Sequence, residues 1–177
     1  VAVRTGPDSL RVLSKAGSAE LDRRRDGGRK VYRYRVTDGN DPLGYAADAR
    51  AAALLDGGYH GGEEWLSATV DGQRPDVVPQ LLELNDSPRA CDIMLFAAPG
   101  WRFAGRSLGG HGGLTREEIL VPWVIAGPGL PGGTSVPAAR TVNLLPTVLD
   151  LLGKPAATPL GIDGESIADR LRTAGAT

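Results

Sequence analysis

The sequence predicts an α/β fold: a sheet containing strands near residues 92–97 and 121–126, flanked by helices, with the N-terminal β-hairpins at its edge or as a small subdomain. Three observations carry this expectation. Lys30-Val31-Tyr32-Arg33-Tyr34-Arg35-Val36 alternates with the period of two that marks a half-buried strand. Residues 92–97 and 121–126 are short, largely apolar runs of the kind found in strands covered on both faces. Residues 76–84 and 143–152 set their leucines and valines on one helical face.

Each element follows in turn. Val1-Ala2-Val3-Arg4 reads as a strand, Gly6-Pro7-Asp8 as a turn, and Leu10 to Leu13 as a second strand. With the alternating stretch after Gly17, residues 1–37 form two successive hairpins, one face wet and one packed. Asp38-Gly39-Asn40-Asp41-Pro42 closes the hairpin region with turn chemistry, dividing residues 1–40 from an α/β part at 41–177. Helices are expected over 46–55, stopped by Gly57-Gly58, over 63–70, and over 76–84 behind Pro75. A glycine-rich loop fills 105–113. Thr115-Arg116-Glu117-Glu118 has capping-box spacing and starts a short helix. The 121–126 strand carries Pro122 near its first residue, a Gly/Pro loop spans 127–135, and the 143–152 helix tolerates Pro146 in its first turn before Gly153 and Pro155 end it. No linker or repeat divides the chain, so a single domain or a fragment of one is expected.

Composition narrows the function. The 177 residues are 41% hydrophobic and 23% charged, within the globular range, so the chain folds. A formal net charge of −1 argues against a general nucleic-acid binder or a protein of membrane surfaces. No apolar run approaches the roughly 18–20 residues that cross a bilayer, and no signal peptide is visible. The single cysteine, Cys91, excludes an internal disulfide and a cysteine-rich metal site, and is expected to be inert core ahead of a strand. The chain opens on strand-like residues without an initiator methionine, which fits a fragment or a processed product.

Chemistry concentrates at one histidine. His111 lies in Gly109-Gly110-His111-Gly112-Gly113, between an apolar strand and a capped helix. Four glycines around one imidazole remove bulk and let a large ligand or an ion approach closely. A loop leaving the end of a strand is also where open α/β sheets place their sites. The segment from Gly110 through Glu117-Glu118-Ile119-Leu120-Val121-Pro122-Trp123-Val124-Ile125-Ala126-Gly127-Pro128-Gly129 resembles the late metal-binding segment of the alkaline phosphatase superfamily. That superfamily includes nucleotide pyrophosphatase/phosphodiesterases, phosphonoacetate hydrolases and sulfatases. Residues 139–153 (Ala-Arg-Thr-Val-Asn-Leu-Leu-Pro-Thr-Val-Leu-Asp-Leu-Leu-Gly) resemble the helix that follows in those families, and Ile162-Asp163-Gly164-Glu165-Ser166-Ile167 their closing segment. The likeness covers residues 90–168, in the family's order and spacing.

The resemblance implies a partial alkaline phosphatase-like sheet, a site of two metal ions (usually zinc) and a phosphate- or sulfate-ester substrate, with His111 as one metal ligand. A neutral imidazole at roughly 2.0–2.1 Å suits zinc. The family's aspartate and serine or threonine nucleophile have no counterpart here, and no histidine directly follows an aspartate. The chain therefore reads as the C-terminal portion of a metal-dependent hydrolase, inactive alone, its remaining ligands on a preceding segment or a second chain. The alternative is a stand-alone, non-catalytic binding or structural domain of the same architecture.

Other signals have simpler readings. Gly105-Arg106-Ser107-Leu108-Gly109 fits the G-x-S-x-G pattern, but Pro99-Gly100-Trp101 breaks the strand that should run into it, and nothing after His111 can serve as the histidine that this fold places later in the chain than its acid. Tyr59-His60-Gly61-Gly62 echoes the sequence at His111 but reads as a turn at a helix end, with Glu63 and Glu64 complementing the helix dipole. Arg23-Arg24-Arg25 and the run from Arg29 to Arg35 read as a solvated hairpin face rather than a nucleic-acid surface. Trp65, Trp101 and Trp123 read as core or rim anchors.

Overall fold

The computed structural model describes residues 1–103, 105, 112–154 and 163–174. Its contacts divide the chain into two compact units, Val1–Val121 and Pro122–Thr177. The fold is α/β, built on a six-stranded antiparallel sheet.

Four consecutive strands make the body of that sheet: β1 (Ala2–Gly6), β2 (Ser9–Leu13), β3 (Gly17–Asp26) and β4 (Arg29–Gly39). Two-residue strands flank them, β5 (His60–Gly61) and β6 (Ile93–Met94), in the order β5-β4-β3-β2-β1-β6. The β3–β4 turn has Gly27 and Gly28 both at positive φ, 54° and 83°, the backbone that matches the twist of a two-residue hairpin. Side chains alternate as the sequence predicts. Leu10, Val12, Ala19, Leu21, Tyr32 and Tyr34 point inward and are buried. The outer face carries a charge ladder set by register: Glu20 lies between its partners Arg11 and Arg35, and Asp22 opposite Arg33, with ion pairs of 3.1 Å from Arg11 to Glu20 and from Arg33 to Asp22.

Helices cover the inner face. The stretch expected as one helix over 46–55 is a 3-10 turn, Tyr45–Ala47, and then α1 (Ala49–Ala52). Asp48 divides them because its carboxylate accepts from the amides of Arg50 and Ala51, at 2.9 and 3.3 Å, and so caps the second piece. α2 (Gly62–Thr69) and α3 (Val77–Leu84) follow the expected helices within two residues. Trp65 of α2 is fully buried, and its indole N–H donates to the Tyr32 carbonyl at 3.2 Å. The Tyr45 ring meets Tyr34 edge-on at 5.7 Å and Trp65 at a tilt at 5.8 Å. Burial, then the Asp41 carboxylate that its hydroxyl meets, push the Tyr34 phenol up, so it stays protonated.

Two structural findings correct the sequence reading. The N-terminal hairpins are the sheet's body rather than an edge or subdomain, and only Ile93–Met94 of the 92–97 run joins the ladder, at its end. Residues 121–126 form no strand; Val121 and Val124 are 72% and 90% exposed. The physical reason is shared. Hairpins close through two-residue turns from local sequence, whereas an internal strand needs neighbours on both sides and a layer on each face. Among the described residues, nothing supplies them for 121–126. In the second unit, α5 (Leu144–Leu151) and α6 (Ala168–Thr173) pack together. The segment Arg116–Ile119 of the first unit is the short capped helix, α4. Among the described residues no helix is long and apolar enough to cross a membrane.

A clasp of charges joins the hairpin to the end of α3. Arg23 donates to Asp8 at 2.7 Å, to the Leu82 carbonyl at 3.1 Å and to Asp86; Lys30 reaches Glu83 at 2.7 Å and Asp86 at 3.0 Å. Hydrogen bonding from Arg23, and secondarily from Lys30, holds the Asp86 carboxyl below its ordinary value of 3.8. A carboxyl whose pKa is depressed by folding contributes stability above its unfolded value, and that contribution is lost as pH falls through the folded value. The urea midpoint of the protein should therefore drop as pH falls below about 4, and Asp86→Asn should flatten part of that drop while lowering the midpoint at pH 7. A variant with the wild-type acid dependence would show that the clasp does not couple to folding.

Candidate functional site

The expected site begins at the end of β6. Beyond it, Gly100 takes φ 82° and Trp101 N–H donates to the Ala98 carbonyl at 2.9 Å, so the chain turns before the glycine-rich segment. His111, the expected metal ligand, lies outside the described residues, as does Ser107. The described residues after it resume at Gly112, φ 94°, and run into α4. The Thr115 cap forms as its spacing predicts, with the Thr115 hydroxyl donating to Glu118 at 2.9 Å and the Thr115 amide meeting the same carboxylate at 3.4 Å. The root of this segment is anchored from below. Arg116 N–H donates to the Gln73 carbonyl at 3.0 Å, its guanidinium reaches the Val70 carbonyl, and Leu114 and Ile119 pack on the core. A turn at one end and a capped, pinned helix at the other thus bracket the His111 segment.

His60 has a structural role. Its Nε2 lies 2.9 Å from Asp56 Oδ1, four residues earlier, and its ring meets Trp65 edge-on at 6.4 Å. Neighbouring Tyr59 packs against the Arg24 and Arg33 guanidiniums, 4.3 and 4.6 Å from its ring, while its hydroxyl meets Asp22. Glu63 and Glu64 occupy the first turn of α2, as expected, and Glu64 accepts from the Gly61 amide. Cys91 is exposed rather than core, because the strand after it starts at the sheet's edge. Trp65 is core, and Trp101 is 80% exposed. Among the described residues, no group of three or more His, Cys, Asp or Glu side chains could hold a metal ion.

The second unit assembles two of the segments singled out by sequence. Asn143 joins them: its carbonyl side-chain oxygen accepts from the Arg140 amide at 2.7 Å, and its amide group donates to the Glu165 carbonyl at 2.7 Å. Thr147, fully buried, donates to the Asn143 carbonyl at 2.6 Å and accepts from the Ile167 amide at 3.0 Å. Ser166 closes the set by donating to Asp150 at 2.6 Å. Gly164 is required here, since a Cβ at that position would stand 1.9 Å from the Val142 carbonyl oxygen. Sequence reasoning missed Asn143, Thr147 and Gly164 as a set; a polar side chain inside an otherwise apolar helix was the available signal. On the other side of α5, Thr141, Val142, Leu144, Leu145, Val148 and Asp163 line an open apolar groove of about 470 Å³.

No family model matches the chain, and neither the search of curated proteins nor that of solved structures found a significant match.

Gly164→Ala should detach the 163–167 segment from α5. Hydrogen exchange should show the Ile167 amide losing its protection, while the Trp65 indole and the Tyr34 amide keep theirs. Retained protection at Ile167 would contradict the tie through Thr147.

Proposed function

We propose that this chain is the C-terminal portion of a metal-dependent hydrolase of phosphate or sulfate esters, of the alkaline phosphatase type, in which His111 supplies one ligand to a two-zinc site. The observation that carries the reading is the segment 110–129, whose Gly-His-Gly-Gly sequence leads into a helix with the expected cap at Thr115 and Glu118. Of the companion segments, which follow in the same order, residues 139–153 and 163–167 are joined through Asn143 and Thr147.

Unsatisfied surface in the second unit also supports the reading. α5 is apolar nearly all round, and its Leu144, Leu145 and Val148 are 44%, 53% and 40% exposed. A helix of that composition is ordinarily buried on every side. Val124, on the 121–126 run, is more uncovered still. Such surfaces fit a portion whose remaining layer belongs to more polypeptide.

The described residues do not by themselves furnish a two-metal site. One imidazole cannot hold two zinc ions, so the other ligands and the nucleophile must come from a preceding segment or from a second chain, and no catalytic step is assigned to this chain. Bound zinc would polarise a phosphoryl or sulfuryl oxygen; the contribution of this chain would be the His111 imidazole as one nitrogen ligand.

The test is to express the complete reading frame that contains these residues, load it with zinc, and assay aryl phosphate mono- and diesters and aryl sulfates. The account expects ester hydrolysis. His111→Ala should lower kcat/KM by more than the roughly 10–100-fold lost when only a ligand's hydrogen-bond partner is removed. A frame without a nucleophile segment and Asp-His ligands would favour the alternative, a non-catalytic binding or structural domain.

A further inference from the structure

A second cavity lies wholly within the first unit, where residues 43–48 and 69–74 enclose about 210 Å³. Its floor belongs to the core: Leu43 and Tyr45 are buried, and Ala51 is fully covered. Two side chains of opposite charge line it without pairing with each other. Arg74 uses Nη1 to donate to the Leu43 carbonyl at 3.0 Å, and among the described residues its guanidinium meets no carboxylate. Asp48 uses Oδ1 to cap α1, while its Oδ2 accepts nothing among the described residues. A glycine stands beside each group. A Cβ on Gly44 would lie 3.6 Å from Arg74 Nη1, and one on Gly72 would lie 3.4 Å from Asp48 Oδ2. The missing side chains leave both groups open to the cavity. The other polar groups of the lining are committed elsewhere. Asp71 pairs with Arg50 at 2.8 Å, the Tyr45 hydroxyl donates to the Arg74 carbonyl, and Thr69 donates to the Trp65 carbonyl.

We infer that this cavity binds a small zwitterion, a free α-amino acid with an apolar side chain, its carboxylate on Arg74 and its ammonium on Asp48. The chemistry follows from what is left open. A guanidinium presents a fork of N–H donors that matches a carboxylate in two parallel hydrogen bonds. A carboxylate oxygen accepts from an ammonium in a charge-assisted bond of the same strength class. A ligand with only one charge would leave the other protein group partly desolvated and unmatched, which costs affinity. The volume sets the size: it falls below the roughly 300–1,000 Å³ of pockets that take larger ligands. The apolar floor of Leu43 and Ala51 suits an aliphatic side chain. None of this rests on the functional reading above, because the cavity uses neither His111 nor the segments that follow it.

The experiment is a chemical-shift titration of the isotope-labelled whole chain with L-valine, N-acetyl-L-valine, which lacks the ammonium, and L-valinamide, which lacks the carboxylate. L-valine should shift the amides of residues 43–51 and 69–74, and each analogue should bind roughly tenfold or more weakly, the effect of losing a hydrogen bond to a charged group. Asp48→Asn removes the charge but keeps the helix cap, since asparagine caps as well as aspartate. This variant should bind L-valine and N-acetyl-L-valine alike. Arg74→Gln should likewise abolish the preference for L-valine over L-valinamide. Should the loss of the Leu43 tie unfold that second variant, the ligand analogues and Asp48→Asn still decide the question. The inference is overturned if L-valine causes no shift in these segments up to its solubility limit. It is equally overturned if either analogue binds as tightly as L-valine, or if Asp48→Asn keeps the wild-type preference.

Discussion

The first unit depends on one contact, the seating of Trp65 against the inner face of the sheet. Its indole is wholly buried, hydrogen-bonded to the Tyr32 carbonyl of β4, and backed by Tyr45, which in turn stands against Tyr34. A single large aromatic thereby ties α2, the 45–47 turn and the longest hairpin into one core. The tyrosine hydroxyls of that core are engaged: the Tyr45 hydroxyl donates to the Arg74 carbonyl at 2.8 Å, and Tyr34 meets Asp41, whose carboxylate also orders the 43–46 turn by accepting from the Leu43 and Ala46 amides. Buried hydroxyls satisfied in this way specify one packing arrangement, since any shift would leave them unpartnered at a cost of roughly 1–3 kcal/mol each.

Around this core the charged residues sort into two kinds. Those on the outer face form cross-strand pairs in solvent, each worth at most about 1 kcal/mol, and they mainly keep the long hairpin soluble and in register. Arg23 and Lys30 differ because they point to the helix side, where they close the seam between β3, β4 and the end of α3. The same arginine-rich sequence thus serves solubility on one face and docking on the other, and strand alternation decides which residue does which.

Much of this was legible in the sequence. Period-two alternation over 30–36, turn residues at 6–8 and 38–42, and helical patterns over 63–70 and 76–84 each gave the observed element, because those patterns act through local geometry. The Thr115–Glu118 cap was legible for the same reason. Two features were not. The division of the 46–55 helix at Asp48 came from a side chain capping its own backbone, a competition that alanine content conceals. The fate of 92–97 and 121–126 depends on what lies beside them, and apolar composition alone states that a strand wants cover without saying what provides it. At the candidate site, sequence pointed to His111 from its glycines and neighbours. It did not reveal how Arg116 pins the following helix to the Val70 and Gln73 carbonyls, a contact across a long stretch of chain.

His111, the proposed zinc ligand, lies outside the described residues, and the proposal of a two-zinc site rests on it. The most direct measurement is anomalous diffraction at the zinc edge from crystals of the complete gene product. The account predicts two zinc peaks, one of them roughly 2.0–2.1 Å from an imidazole nitrogen of His111. Zinc peaks that all lie away from His111, or none at all in zinc-loaded crystals, would contradict it.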